Sequence, residues 1–111
     1  MLPSVARNDP AYPDQEYWRG RIWAPMNFLA YLAMRKAGLD KPCRDLAQKS
    51  VNLFMQEWQA HGHVHENYHG DDGWGCGIQS SDKFYHWGAL LCLIGLMDAG
   101  VVSGPEQPLQ Q

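Results

Sequence analysis

The sequence predicts an all-α chain of three main helices joined by long irregular loops. Three observations carry this. Two segments, residues 28–34 and residues 84–97, are apolar on nearly every side. Between them, residues 40–59 show the i, i+4, i+7, i+8, i+11 apolar spacing of a helix with one wet face, in Ala47, Val51, Phe54, Met55 and Trp58. Gly38 and Gly100 stand where the first and third helices would stop.

The lead-in, residues 1–16, carries Pro3, Pro10 and Pro13 among Asp and Asn, and is expected to be extended and irregular. Residues 17–23 form an aromatic and basic turn. The first helix is expected over 24–37, with Gly38 as its stop. Asp40 is a good N-cap and Pro42 suits a first turn, so the second helix is expected over 40–59, with Gln48, Lys49, Asn52, Gln56 and Glu57 off its apolar face. A loop follows, holding Gly62, Gly70, Gly73, Gly75 and Gly77. Ser80, Ser81 or Asp82 is expected to cap the third helix, which runs to Asp98 with Gly100 as its stop. The tail, 103–111, is rich in Pro and Gln and is expected to be disordered. The domain is thus expected over 1–102.

Three helices cannot enclose two that are apolar all round. At ~25 cal/mol per Å² the leftover apolar surface favours association. The order of an inner helix, an outer amphipathic helix and a further inner helix is that of an α/α toroid. The chain is therefore expected to self-associate or to pair with further helices of a larger layered structure.

The 111 residues suffice for one small domain, and the net charge of −3 is spread along the chain. No basic run points to nucleic acid. The run 84–97 is shorter than the about 20 residues a membrane helix needs, and the N-terminus lacks the pattern of a signal peptide. Cys43, Cys76 and Cys92 are odd in number and form no CxxC pair, which implies neither a disulfide framework nor a zinc knuckle. Three reduced cysteines fit a cytoplasmic protein.

Five Trp and five Tyr are many for this length, and several stand outside the helices. Aromatic rings bury large areas, and they also stack on the apolar faces of sugars. Glu66, among His65, Asn67, Tyr68 and the glycine-rich stretch that holds Trp74, is a carboxylate placed as a catalytic base or sugar-binding acid would be.

The motifs extend this. Tyr17-Trp18-Arg19-Gly20-Arg21-Ile22-Trp23, followed by Asn27, resembles the YWRGxIW…N motif of glycoside hydrolase family 63 and its trehalase-like relatives. His65-Glu66-Asn67-Tyr68 with Asp72-Gly73-Trp74-Gly75 resembles that family's catalytic-loop element, and Phe84-Tyr85-His86-Trp87-Gly88-Ala89 the start of its last barrel helix. The resemblance covers residues 2–97. It implies the C-terminal arc of an (α/α)6 toroid and an inverting glycosidase acting on an α-glucoside or α-mannoside. Glu66 matches the general base; Trp18, Arg19 and Trp23 match residues lining the sugar pocket, and Tyr68 and Trp74 share the loop of the base. Arg21 stands where many relatives have proline, which bears on pocket polarity.

No motif matches the general acid, an aspartate of an earlier barrel segment. Inverting hydrolysis needs both carboxyl groups, about 6.5–9.5 Å apart. The resemblance therefore implies a C-terminal piece, with Met1 an internal start, that is inactive by itself and in which Glu66 is exposed. In the assembled pocket, Trp74 and Tyr68 are expected to desolvate Glu66. No cofactor is implied.

Other readings stay open. Arg19 can pair with Asp14 or Glu16 instead of donating to sugar hydroxyls. A non-catalytic helical module that self-associates is the alternative of a different class. His61, His63, His65 and His69, near Cys76, suggest a metal-binding tract, but no established ligand spacing is met, so the expectation is of no resident metal. The glycine-rich loop is no phosphate cradle, because neither a preceding strand nor a Lys-Ser/Thr pair accompanies it.

Overall fold

A computed structural model describes residues 1–104. From residue 105 on, the expected tail lies outside the described residues. The helices are α1 (Ala24–Lys36), α2 (Asp40–His61) and α3 (Leu90–Asp98), with short 3-10 turns at Tyr12–Asp14 and His86–Ala89. Among the described residues there are isolated β-bridges but no strand. None of their helices is long and apolar enough to cross a membrane.

Both predicted glycine stops are present in the same form. Gly38 has φ +70°, its N–H donates to the Arg35 carbonyl and the Leu39 N–H to the Met34 carbonyl. Gly100, at φ +73°, donates to Met97 while Val101 donates to Leu96. Paired bonds of this kind satisfy the last carbonyls of a helix and need a left-handed residue. The α1 stop also explains a difference at α2. Leu39 is engaged in closing α1 and takes the N-cap position, so Asp40 lies inside the first turn and caps nothing. Its negative charge still suits the positive end of the helix dipole.

α2 packs against α3, and α1 against both. Tyr31, Cys43, Leu46, Ala47, Ile94 and Met97 form the core between the three helices. A second cluster, Ile22, Ala24, Leu53, Tyr68 and Leu91, joins the helices to the loops. The buried side of α2 is Cys43, Leu46, Ala47, Ser50, Leu53 and Glu57. This is rotated from the expected stripe: Trp58 is exposed and stacks on Phe54, while Glu57 is buried. On α1, Leu29 is 65% exposed and Met26 43%.

The third helix begins later than predicted. Residues 81–84 pair with the loop, the Glu66 N–H donating to Asp82 and the Phe84 N–H to Val64. Those backbone groups are committed to the loop before a helix can use them. Gly88 is also pressed on this loop; a Cβ there would lie 2.5 Å from the His65 carbonyl. The capping role assigned to Ser80–Asp82 is thus replaced by a loop clasp.

Burial raises the pKa of Tyr31, whose hydroxyl donates to Asp98 Oδ1 at 3.2 Å, from 10.0 to about 12. Burial likewise raises Tyr68 from 10.0 to about 12. Below pH 10 both tyrosines are neutral folded or unfolded, and their contribution is complete. As pH rises toward 12 the unfolded chain ionises first, so this stability is lost. The urea midpoint is expected to fall across that window, and less steeply in Tyr31→Phe. Equal slopes in the two proteins would overturn the assignment.

Candidate functional site

The turn at residues 16–19 sets the site. Glu16 and Arg19 exchange backbone hydrogen bonds of 3.1 and 2.7 Å, so Tyr17 and Trp18 stand at the tip, Tyr17 with φ +45°. The Trp18 ring stacks on Trp23, centroids 3.6 Å apart and planes 10° from parallel. Tyr17 meets Trp23 edge-on at 4.7 Å. Trp23 is wholly buried and donates its Nε1–H to the Tyr17 carbonyl at 3.1 Å. Trp18 remains 47% exposed.

Glu66 arrives from the loop after α2. The Tyr17 hydroxyl donates to its Oε1, and this bond is the largest cause raising the Tyr17 pKa. Trp87, edge-on to Trp23 at 6.0 Å, donates its Nε1–H to the Glu66 carbonyl at 2.9 Å. The three sequence motifs thus converge, through Tyr17–Trp23, Glu66 and Trp87, on one residue, Glu66, Tyr17 at its carboxylate and Trp87 at its main-chain carbonyl. Glu66 is 7% exposed, which corrects the expectation of an exposed side chain. Its neighbours also differ from those expected. Tyr68 is fully buried in the second core, and its Oη accepts the His65 N–H at 3.1 Å. Trp74, half-buried, packs edge-on against His61 at 5.7 Å. The contact on the Glu66 carboxylate comes from Tyr17 instead, and Trp87 holds the Glu66 carbonyl.

Arg19 is exposed at the rim and ion-paired with Glu16 and, at 3.7 Å, with Asp14. Arg21 does structural work that its sequence position did not disclose. It is buried, donates Nε–H to the Gln15 carbonyl at 2.7 Å, and donates from Nη1 to Asn67 Oδ1 at 3.0 Å and the Gln79 carbonyl at 2.5 Å. Burial lowers its pKa, opposed by the nearby charges of Glu16 and Glu66. One guanidinium therefore ties the turn at 15–21 to both ends of the loop that carries Glu66.

A second polar cluster lies under that loop. Glu57 is wholly buried and accepts the N–H groups of Gly75 at 3.2 Å and Cys76 at 3.1 Å. His65 Nε2 lies 3.0 Å and His61 Nδ1 3.1 Å from its Oε1. His63 is buried beside His65, ring centroids 4.7 Å apart, and burial, then His65, lowers its pKa. A metal could be held by His63, His65 and Cys76, whose donor atoms all lie within 4.8 Å of one another. The sequence pattern offered the histidines and Cys76 but not Glu57.

Gly75 is required here by space. A Cβ would fall 2.4 Å from His65 Cγ. Gly75→Ala is expected to displace the His65 ring and destabilise the chain by about 1–3 kcal/mol. Urea unfolding measures this; a wild-type midpoint would contradict the close approach.

Residues 1–87 match the family described as Mannosylglycerate hydrolase MGH1-like glycoside hydrolase domain. The chain belongs to this family. The MGH1-like match takes in the turn at 17–23, Glu66 and Trp87 together. The chain is also 34% identical over 104 residues to the mannosyl-oligosaccharide glucosidase of Saccharomyces cerevisiae, an alignment covering 81% of this chain and 12% of the yeast protein. The MGH1-like chain thus spans about an eighth of that relative's length. No solved structure matches it.

Proposed function

We propose that this chain supplies the general base, Glu66, and one aromatic wall of the sugar pocket to an inverting glycoside hydrolase acting on an α-glucoside or α-mannoside. The observation that carries this is the Glu66 carboxylate, buried and oriented by the Tyr17 hydroxyl beside the Trp18–Trp23 stack. Tyr17 engages Oε1. Oε2 accepts no hydrogen bond among the described residues and is the oxygen that would take a proton from the attacking water. The outer face of Trp18 is half exposed, as a platform for a sugar ring requires. Arg19, at the rim, can exchange its exposed ion pairs for sugar hydroxyls at little cost, since such pairs contribute about 0–1 kcal/mol.

Family membership supports hydrolysis of a glycoside, and the wider resemblance supports inversion. The general acid is assigned to barrel segments outside this sequence, which pair with it through the apolar flank of α1 at Met26 and Leu29. The chain is expected to be inactive by itself. The test is complementation: the chain is mixed with a segment holding the earlier helices of an MGH1-like barrel, and hydrolysis of α-glucosides and α-mannosides is measured. Activity from the mixture, and from neither part separately, supports the proposal. Assembly without activity leaves a non-catalytic helical interaction module.

A further inference from the structure

We propose that His63, His65 and Cys76, with the Glu57 carboxylate as fourth ligand, hold one zinc-class divalent ion that fastens the loop after α2 to that helix. Two buried ring nitrogens point to a ligand: His63 Nδ1 has no hydrogen-bond partner among the described residues, and His65 Nε2 has only the Glu57 carboxylate beside it, at 3.0 Å, although the residues are 7% and 1% exposed. Buried polar atoms of this kind are uncommon and call for an explanation.

The hydrogen bonds around His65 supply one. The Ser81 hydroxyl donates its proton to the Asn67 carbonyl at 2.6 Å, so it cannot donate to His65. His65 Nδ1 instead faces the Ser81 carbonyl at 3.2 Å, an acceptor that suits the tautomer with the ring's proton on Nδ1. In the neutral ring Nε2 then presents a lone pair, and it presents it toward the Glu57 carboxylate at 3.0 Å. Two electron-rich groups facing one another in a buried site are stable only with a cation between them or with a second proton on the ring. A carbonyl holding Nδ1–H while Nε2 binds metal is the usual support of a ligating histidine.

The donor set favours the metal over the proton. Cys76 belongs to the same constellation as His63 and His65, and a set of two imidazoles, a thiol and a carboxylate selects zinc over magnesium or calcium. Ion–donor distances are about 2.0–2.3 Å, so the donors must draw in from a spread of 4.8 Å. Cys76 can supply this movement: it is only half-buried and lies between Gly75 and Gly77. Glu57 is anchored by the Gly75 and Cys76 N–H groups, so its charge already lies at the site. Binding converts the Cys76 thiol to a metal-bound thiolate and releases its proton to solvent, with no redox change. The site is separate from the Glu66 carboxylate and does not depend on the glycosidase reading.

The test uses the full chain without an affinity tag, purified from zinc-supplemented medium and dialysed against a weak chelator. A single equivalent of zinc is expected to remain. Cobalt substituted for it is expected to give the sulfur-to-cobalt absorption band of a bound thiolate. Cys76→Ser should remove the band, and Cys76→Ser and His63→Gln should each loosen zinc on the order of tenfold or more. The near-ultraviolet dichroism of the tryptophans verifies that both variants fold. His69→Ala, outside the constellation, should change neither reading. Zinc lost on dialysis, or retained with wild-type affinity by both Cys76→Ser and His63→Gln, overturns the proposal. Loss of zinc in His69→Ala alone shows adventitious binding by surface histidines and overturns it equally.

Discussion

Glu66→Gln is expected to lower turnover of the reassembled hydrolase by on the order of 10²–10⁴-fold, the usual contribution of a general base. The substitution removes basicity and little else. Glutamine keeps the shape of the side chain, and its Oε1 can accept the Tyr17 hydroxyl as the carboxylate does. The contacts that place the loop are made by backbone atoms: the Trp87 indole binds the Glu66 carbonyl, and the Glu66 N–H binds Asp82. These persist in the variant. The loss should therefore fall on kcat, with KM nearly unchanged and urea stability close to wild type. A fall in KM-type binding with kcat preserved would make Glu66 a sugar-binding acid. Turnover at the wild-type level would remove it from the chemistry.

The local signals in this sequence are the ones that structure reproduces. Gly38 and Gly100 end their helices because a left-handed residue is needed there, and glycine adopts that conformation without strain. The three motifs around Tyr17, Glu66 and Trp87 were legible as motifs, and they meet in space. Long-range terms were hidden. Periodicity placed the apolar face of α2 on Trp58, yet Glu57 is the side chain turned inward, because the glycine loop brings two backbone N–H groups and His65 to it. Nothing local to Glu57 marks it. The start of α3 was misplaced for a related reason. Ser80 and Ser81 look like caps, but the residues that follow are already paired with 64–66. Tyr68 and Trp74 were grouped with Glu66 by proximity along the chain. The segment is irregular, so nearness along the chain does not fix direction, and these two make their contacts with His65 and His61.

Arg21→Leu is expected to destabilise the chain by about 1–3 kcal/mol. A buried acceptor left without its donor costs about 1–3 kcal/mol; of this guanidinium's acceptors Asn67 Oδ1 is buried, while half-buried Gln15 and exposed Gln79 can turn their carbonyls to water. Leucine fills part of the volume and satisfies none of them. The Asn67 Oδ1 bond spans 46 positions and the Gln79 bond 58, so the substitution releases both ends of the Glu66 loop from the turn that carries Tyr17. Arg19→Leu is the control. Arg19 lies two residues away with the same charge, but its partners Glu16 and Asp14 are exposed. Its loss is expected to cost less than about 1 kcal/mol. Urea unfolding of the two variants separates burial from charge. Equal midpoints would mean that Arg21 contributes only a charge, and the turn and the loop would then have to be held together by the paired backbone of Ile22 and Tyr68. A large loss at Arg21 alone would mean that this one residue is the tie on which the placement of Glu66 depends.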